Sequence, residues 1–251
     1  MPPLPDPTPP ARVLAFDTST ERLAVALQAR GEAFAVNAEG GAAASATLLP
    51  QVQALLDRAG LALAELEFIA MGRGPGAFTG LRTACAVAQG LALGLDRPVL
   101  PIDSLLIVAE DARAQAGAAQ AFDIGVAMDA RMGEVYAARY AWCDGQWQVL
   151  HSPGLFALHD LGTMWAGARM DAVAGSALAV FGERLPLPAG LVRWEHERDR
   201  AAALLRLALQ AAAAGAGVDA AAALPLYLRD KVALTTGERE AARALHAAPG
   251  R

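Results

Sequence analysis

The sequence predicts an α/β fold made of two similar halves, each a mixed sheet with helices. Three observations predict it. Asp17 ends the apolar run Val13–Phe16 and precedes a hairpin, and Asp129 stands the same way after Ile124–Met128. Leu66–Met71, an apolar run of strand length, leads into a glycine-rich turn, and Met170–Ala174 leads likewise into Gly175-Ser176. Helical periodicity then follows in both halves, over Thr79–Leu93 and Arg198–Ala214. The hairpin glycine lies 14 residues after Asp17 (Gly31) and 16 after Asp129 (Gly145). Equivalent features in the same order read as an internal duplication.

Element by element, Val13–Phe16 is a short apolar strand. LAVALQ, the turn at 29–31 and EAFAVNA make a hairpin. Over Ser45–Ala59, Leu48, Leu49, Val52, Leu55 and Leu56 recur at helical offsets, and Gly60 is placed to stop that helix. Strand Leu66–Met71, the loop GRGPGAFTGLR, helix Thr79–Leu93 with Thr79 as its N-cap, and a strand Val99–Ile102 complete the first half. In the second half, RMGEVYAARYAW and WQVLHS flank the turn at 143–146 and form the second hairpin. The expected division is a proline-rich tail over 1–11, a first domain over 12–104, a second over 105–235 and a tail over 236–251.

The 251 residues are 55% hydrophobic and 19% charged, enough for a sizeable core. A net charge of −5 argues against a broad basic surface for nucleic acid. No apolar run of membrane-spanning length lacks a polar break; AAALLRLALQAAAAGAG carries Arg206 and Gln210. The opening MPPLPDPTPPAR has no apolar core of a signal peptide, and two cysteines, Cys85 and Cys143, make no disulfide framework. The expected compartment is the cytoplasm. The four histidines have no zinc-peptidase spacing, and no G-x-S-x-G elbow is present.

Two places carry candidate chemistry. Asp17 and Asp129, each at a strand end, are candidate ligands for a cation or for nucleotide, or else cap their own bends as Asx turns do. GRGPGAFTGLR offers backbone amides around Gly74 and Gly76 as an anion site, or else is a tight turn that lets chain segments approach closely. It has neither a Lys after Gly80 nor G-x-G-x-x-G spacing. Glu21 and Glu134, one in each hairpin, oppose an anion.

Two such units side by side are the architecture of the actin, hexokinase and Hsp70 superfamily, in which the Asp at each hairpin start lines a cleft for nucleotide phosphates and a metal ion. Within it, VLAFDTSTERLAVAL, LLPQVQALL, GRGPGAFTGLRTACAVAQGLALGLDRPVLPIDSL, MDARMGEVYAARY and PLYLRD occur in the order and spacing of the TsaB (YeaZ) family, which this chain resembles from about Val13 to Asp230. The match is loose from Leu155 to Leu224. The resemblance implies two actin-like domains. It implies a noncatalytic subunit of the machinery that makes threonylcarbamoyladenosine at position 37 of tRNA, with no cofactor of its own and any ATP held only at the joint complex.

The implied partners are the catalytic relative TsaD, docked helix to helix, and the ATPase TsaE. A homodimer is implied in isolation, and tRNA is met only through the complex. TsaD uses a histidine pair in the helix matching the first helix here; this chain has none there, and Ala44 stands where many members keep a histidine. The expected docking residues are Leu48, Gln51 and Leu55 on the first helix and Thr83, Val87 and Gly90 on the second. The competing expectation is an independent actin-fold kinase or ATPase. A peptidase, the family's old label, is not supported by any motif.

Overall fold

The computed structural model describes residues 11–118 and 121–229; apart from Ala11, the expected tails lie outside them. The first sheet contains β1 (Val13–Asp17), β2 (Arg22–Ala29), β3 (Glu32–Glu39), β4 (Phe68–Gly74) and β5 (Val99–Asp103), in the order β3-β2-β1-β4-β5. β1, β2 and β3 are antiparallel neighbours, while β4 and β5 run parallel to β1. The second sheet contains β6 (Ala121–Asp129), β7 (Glu134–Cys143), β8 (Gln146–Ala157), β9 (Ala172–Ala174) and β10 (Val192–Trp194), in the order β8-β7-β6-β9-β10. It repeats the same senses, antiparallel within the hairpins and parallel at β6-β9-β10. Order and sense both match, so the strand duplication read from the sequence is present in the fold; the helix pairing is not, because the helix after β9, equivalent to Phe78–Leu95 after β4, is Ala177–Phe181, while Arg200–Ala213 follows β10. The fold is of the actin-like α/β class.

The hairpin turns have the chemistry their sequences require. Arg30-Gly31 and Asp144-Gly145 each hold two consecutive residues at positive φ, the mirror-image turn that matches strand twist. Glycine takes the second place at no steric cost.

Side-chain alternation sorts the layers of the first sheet. Leu14 and Phe16 of β1 face α1 (Ala44–Ala59) and α2 (Phe78–Leu95). Val13 and Ala15 face α6 (Arg200–Ala213) on the opposite side. That second face is alanine-rich, with Ala24, Ala26 and Ala70 meeting Ala201, Ala203 and Ala208, so the alanine content serves close helix–sheet approach. The second sheet packs on α3 (Ser104–Ala116) through Ile124, Val126 and Tyr140, and on α4 (Leu158–Trp165) and α5 (Ala177–Phe181) through Val135 and Val173.

The two halves exchange helices. α3 follows the first sheet in sequence but lies on the second; α6 follows the second and lies on the first. α3 and α6 meet through charges. The fully buried Glu110 of α3 accepts from Arg113 at 2.8 and 2.9 Å, from Arg206 of α6, and from the Trp147 indole of β8 at 3.0 Å. Burial alone would raise its pKa; Arg113 and Arg206 outweigh burial and hold it below the ordinary value. Asp111 accepts from the backbone of Arg198 and Asp199 at 2.8 Å each, fixing the approach to α6. Asp199 then caps α6 through the Ala202 amide.

Candidate functional site

A cleft of about 600 Å³ lies between the halves. It is lined by the β1–β2 turn, the glycine loop, the start of α3, the β6–β7 turn, Gly175-Ser176 and the approach to α6. Asp129 lines it and Asp17 lies buried behind Ser19, Ser104 and Arg200 of the lining; the two aspartates make the same local turn. Asp17 Oδ1 accepts from the Ser19 amide at 2.9 Å, and Asp129 Oδ1 accepts from the Arg131 amide at 2.9 Å. Both are therefore Asx turns, two residues ahead in each case.

Their surroundings differ. Asp129 faces the cleft and is paired with the exposed Arg131 at 3.3 Å. Asp17 is wholly buried. Its carboxylate also accepts from the hydroxyls of Ser19 at 2.7 Å and Ser104 at 2.8 Å, and from Arg200 Nε at 3.2 Å. Burial would raise its pKa, but Arg200 and the serine hydrogen bonds overcome this and hold it below the usual value.

The glycine loop is shaped by that turn. A Cβ on Gly72 would lie 1.6 Å from Asp17 Oδ2, one on Gly76 2.4 Å from the Ser19 carbonyl oxygen, and one on Gly80 1.8 Å from the Thr18 carbonyl oxygen. Three of the four glycines are thus needed because Asp17, Thr18 and Ser19 press against them. Gly74, at φ 106°, needs glycine for its backbone, and its amide donates to Ser104 Oγ at 3.0 Å. Of the two sequence readings, the tight-turn reading accounts for these contacts. The candidate anion site at Gly74 and Gly76 has one amide already engaged and the other glycine pressed on Ser19. The helix begins one residue earlier than expected. Ala77 is the N-cap, and Thr79 lies inside the first turn.

The expected docking residues divide. Leu48 and Leu55 are fully buried in the core under β1 and β2, so they face inward and cannot meet a partner. Their residues are apolar on more than one helical stripe, and the inner stripe is the one against the sheet. Gln51, Thr83 and Val87 are half-buried, with Val87 packed on the same core, and Gly90 is exposed with nothing near its Cβ position. The outer surface of α2 runs along Thr79, Arg82, Ala86, Gly90, Leu93 and Gly94. Leu93 is 80% exposed there, and Leu49 of α1 is 50% exposed. Small residues beside a bare leucine let a second helix come close.

Sequence reasoning missed Arg200, Glu197 and Ser104. Ser104 Oγ and Arg200 both contact Asp17, from 87 and 183 residues away, and no local pattern announces such a pairing.

Comparison with known proteins follows the same lines. A family model described as "TsaD: tRNA N6-adenosine threonylcarbamoyltransferase" matches residues 40–160. The tRNA threonylcarbamoyladenosine biosynthesis protein TsaB of Haemophilus influenzae is 44% identical over 124 residues, 49% of this chain and 51% of that protein. The TsaB protein of Escherichia coli is 41% identical over 129 residues, 51% of this chain and 54% of that protein. The matched region thus spans about half the length of these curated relatives. The solved structure of YeaZ from Pseudomonas aeruginosa superposes with a TM-score of 0.76 at 40% identity, covering 87% of this chain and all of that one.

Proposed function

The chain belongs to the TsaB (YeaZ) family, and on that premise we propose that it is a noncatalytic subunit in the biosynthesis of tRNA threonylcarbamoyladenosine. In this reading it docks on a TsaD-type catalytic partner through α1 and α2, TsaE joins the pair, and tRNA is met through the complex. Without the partner, the same face makes a homodimer. The working compartment is the cytoplasm, where this tRNA chemistry takes place.

The observation that carries the reading is the outer face of α2. Outside their own stretch of helix, Gly90 and Gly94 have no atom within 4 Å of their Cβ positions, and Leu93 stands between them 80% exposed. A large apolar side chain left in water on a stripe of small residues gains from a partner's helix. Burying a leucine side chain is worth roughly 1.5–3 kcal/mol. A charged side chain at that point would have to be desolvated without a partner, which is costlier than losing the contact.

Leu93→Arg is therefore the direct test. The side chain is exposed, so the variant is expected to fold with an unchanged thermal midpoint. It is expected to fail to copurify with the family's TsaD partner. Intact copurification of a folded Leu93→Arg chain refutes the docking face. Calorimetry with ATP on the isolated chain separates this reading from an independent kinase or ATPase: micromolar affinity lost in Asp129→Ala would favour the latter.

A further inference from the structure

The superfamily implies a nucleotide and a divalent cation at the cleft, and the residues present do not fit them at Asp17. The guanidinium of Arg200 takes up the space. It is 1% exposed, and its polar partners are oxygen atoms: Asp17 Oδ1 at 3.2 Å, Ser19 Oγ at 3.0 Å, the Ser104 carbonyl at 3.5 Å and Glu197 Oε1 in an ion pair. Two carboxylates, a hydroxyl and a carbonyl are the donor set of a hard cation. Here they converge on a side chain. On the other side of the carboxylate, Gly72 presses where even a methyl group would overlap Oδ2. No room is left beside Asp17 for a metal ion or a phosphate oxygen.

We infer that Arg200 is a resident cation that permanently replaces a divalent ion at Asp17, so that the buried cluster behind the cleft is held together without metal or nucleotide. The charges are consistent with one guanidinium shared unequally. Asp17 is held below the ordinary carboxylate range. Burial, together with Asp17 and Asp111, raises Glu197 above it against the pull of Arg200. The Arg200 guanidinium, which burial alone would weaken as an acid–base partner, is held firmly protonated by Asp17 and Glu197. A flexible lysine or a mobile ion could leave; an arginine anchored one residue into α6, whose N-cap is Asp199, cannot.

Removing the guanidinium should therefore produce a gain of cation binding. The wild-type chain, Arg200→Met, Arg200→Met/Asp17→Asn and Arg200→Met/Glu197→Gln are compared with Mn²⁺ or with a chelator. Thermal unfolding and the electron paramagnetic resonance of free Mn²⁺ are the readouts. The wild type is expected to unfold at the same temperature in both conditions. Arg200→Met is expected to unfold well below it in chelator. Mn²⁺ should bind to Arg200→Met at one ion per chain and, at ten times its dissociation constant, recover about 3–6 °C.

Adding Asp17→Asn should abolish that response. If Arg200→Met is unfolded in chelator, Mn²⁺-dependent recovery of near-ultraviolet circular dichroism is the same expected result. Arg200→Met/Glu197→Gln, with one unpaired carboxylate fewer, supplies a second folded background. A wild-type chain stabilised by Mn²⁺ in a manner lost on Asp17→Asn would overturn the inference. So would an Arg200→Met chain and an Arg200→Met/Glu197→Gln chain that both ignore the ion.

Discussion

Two glycines of one helix should respond in opposite directions to the same substitution. Gly80 and Gly90 both lie in α2, where exchanging glycine for alanine gains about 1 kcal/mol of helix propensity. At Gly90 nothing stands within 4 Å of the added methyl. Gly90→Ala should therefore keep the full gain and raise the melting temperature by about 2–4 °C, the response of a chain this size to 1 kcal/mol.

At Gly80 the methyl would sit 1.8 Å from the Thr18 carbonyl oxygen and 2.8 Å from its carbon. That is backbone, and it is fixed on both sides. Ser19 bonds Asp17, and the Ser19 carbonyl accepts from the Ala77 amide at 2.8 Å. Thr18 also donates its hydroxyl to the Gly80 carbonyl at 2.7 Å. Relief requires the turn and the helix to separate, at the upper end of overpacking costs, about 3 kcal/mol. The net is a loss of about 2 kcal/mol and a fall of about 4–8 °C. Differential scanning calorimetry on the two variants decides the matter. A Gly80→Ala chain as stable as wild type, or shifts of the same sign at both sites, would refute the claim that the loop is glycine-rich because the Asp17 turn presses on it.

The buried charges and the two faces of α1 give further expectations. Glu110→Gln leaves Arg113 and Arg206 without their counter-ion and should cost about 3 kcal/mol, or roughly 6–12 °C, by thermal unfolding at pH 7. Asp17 and Glu110 have folded-state pKa values below their ordinary 3.8 and 4.5. Each contributes stability that is complete above the unfolded value and lost as pH falls through the folded one. The chain should therefore lose stability progressively below about pH 4.5, and Glu110→Gln should flatten that acid limb in a urea titration at several pH values. Leu48→Ala should cost about 2–5 kcal/mol as a core cavity, whereas Leu49→Ala, half-exposed on the same helix, should leave the urea midpoint almost unchanged.

Much of the fold is legible because its signals are local. The turns at Arg30-Gly31 and Asp144-Gly145 declare the hairpins, and Gly60, left-handed at φ 57°, ends α1 where the sequence places a stop. The helix α3 is not legible. Leu105, Ile107, Val108, Ala109, Glu110, Asp111 and Ala112 are all buried, so no polar face alternates with an apolar one. Its two acids look like a solvated face and are instead the fixings for α6. The proposed docking face is half legible. Periodicity shows that Leu48, Leu49, Leu55 and Leu56 share a helix, but only packing shows that Leu48 and Leu55 are inside while Leu49 is half-exposed. The glycine loop is legible as a loop alone. What it serves depends on Asp17, Thr18 and Ser19, more than fifty residues earlier, and on Arg200, more than a hundred later.

The proposed role of this chain is that of a docked subunit in threonylcarbamoyladenosine formation. The most direct measurement is reconstitution of that modification on tRNA with the family's TsaD and TsaE proteins and a supply of the threonylcarbamoyl donor. The chain is omitted, added as wild type, or added as Leu93→Arg. Product is expected with wild type and is expected to be lost both on omission and with Leu93→Arg. Equal product in all three reactions would contradict the account.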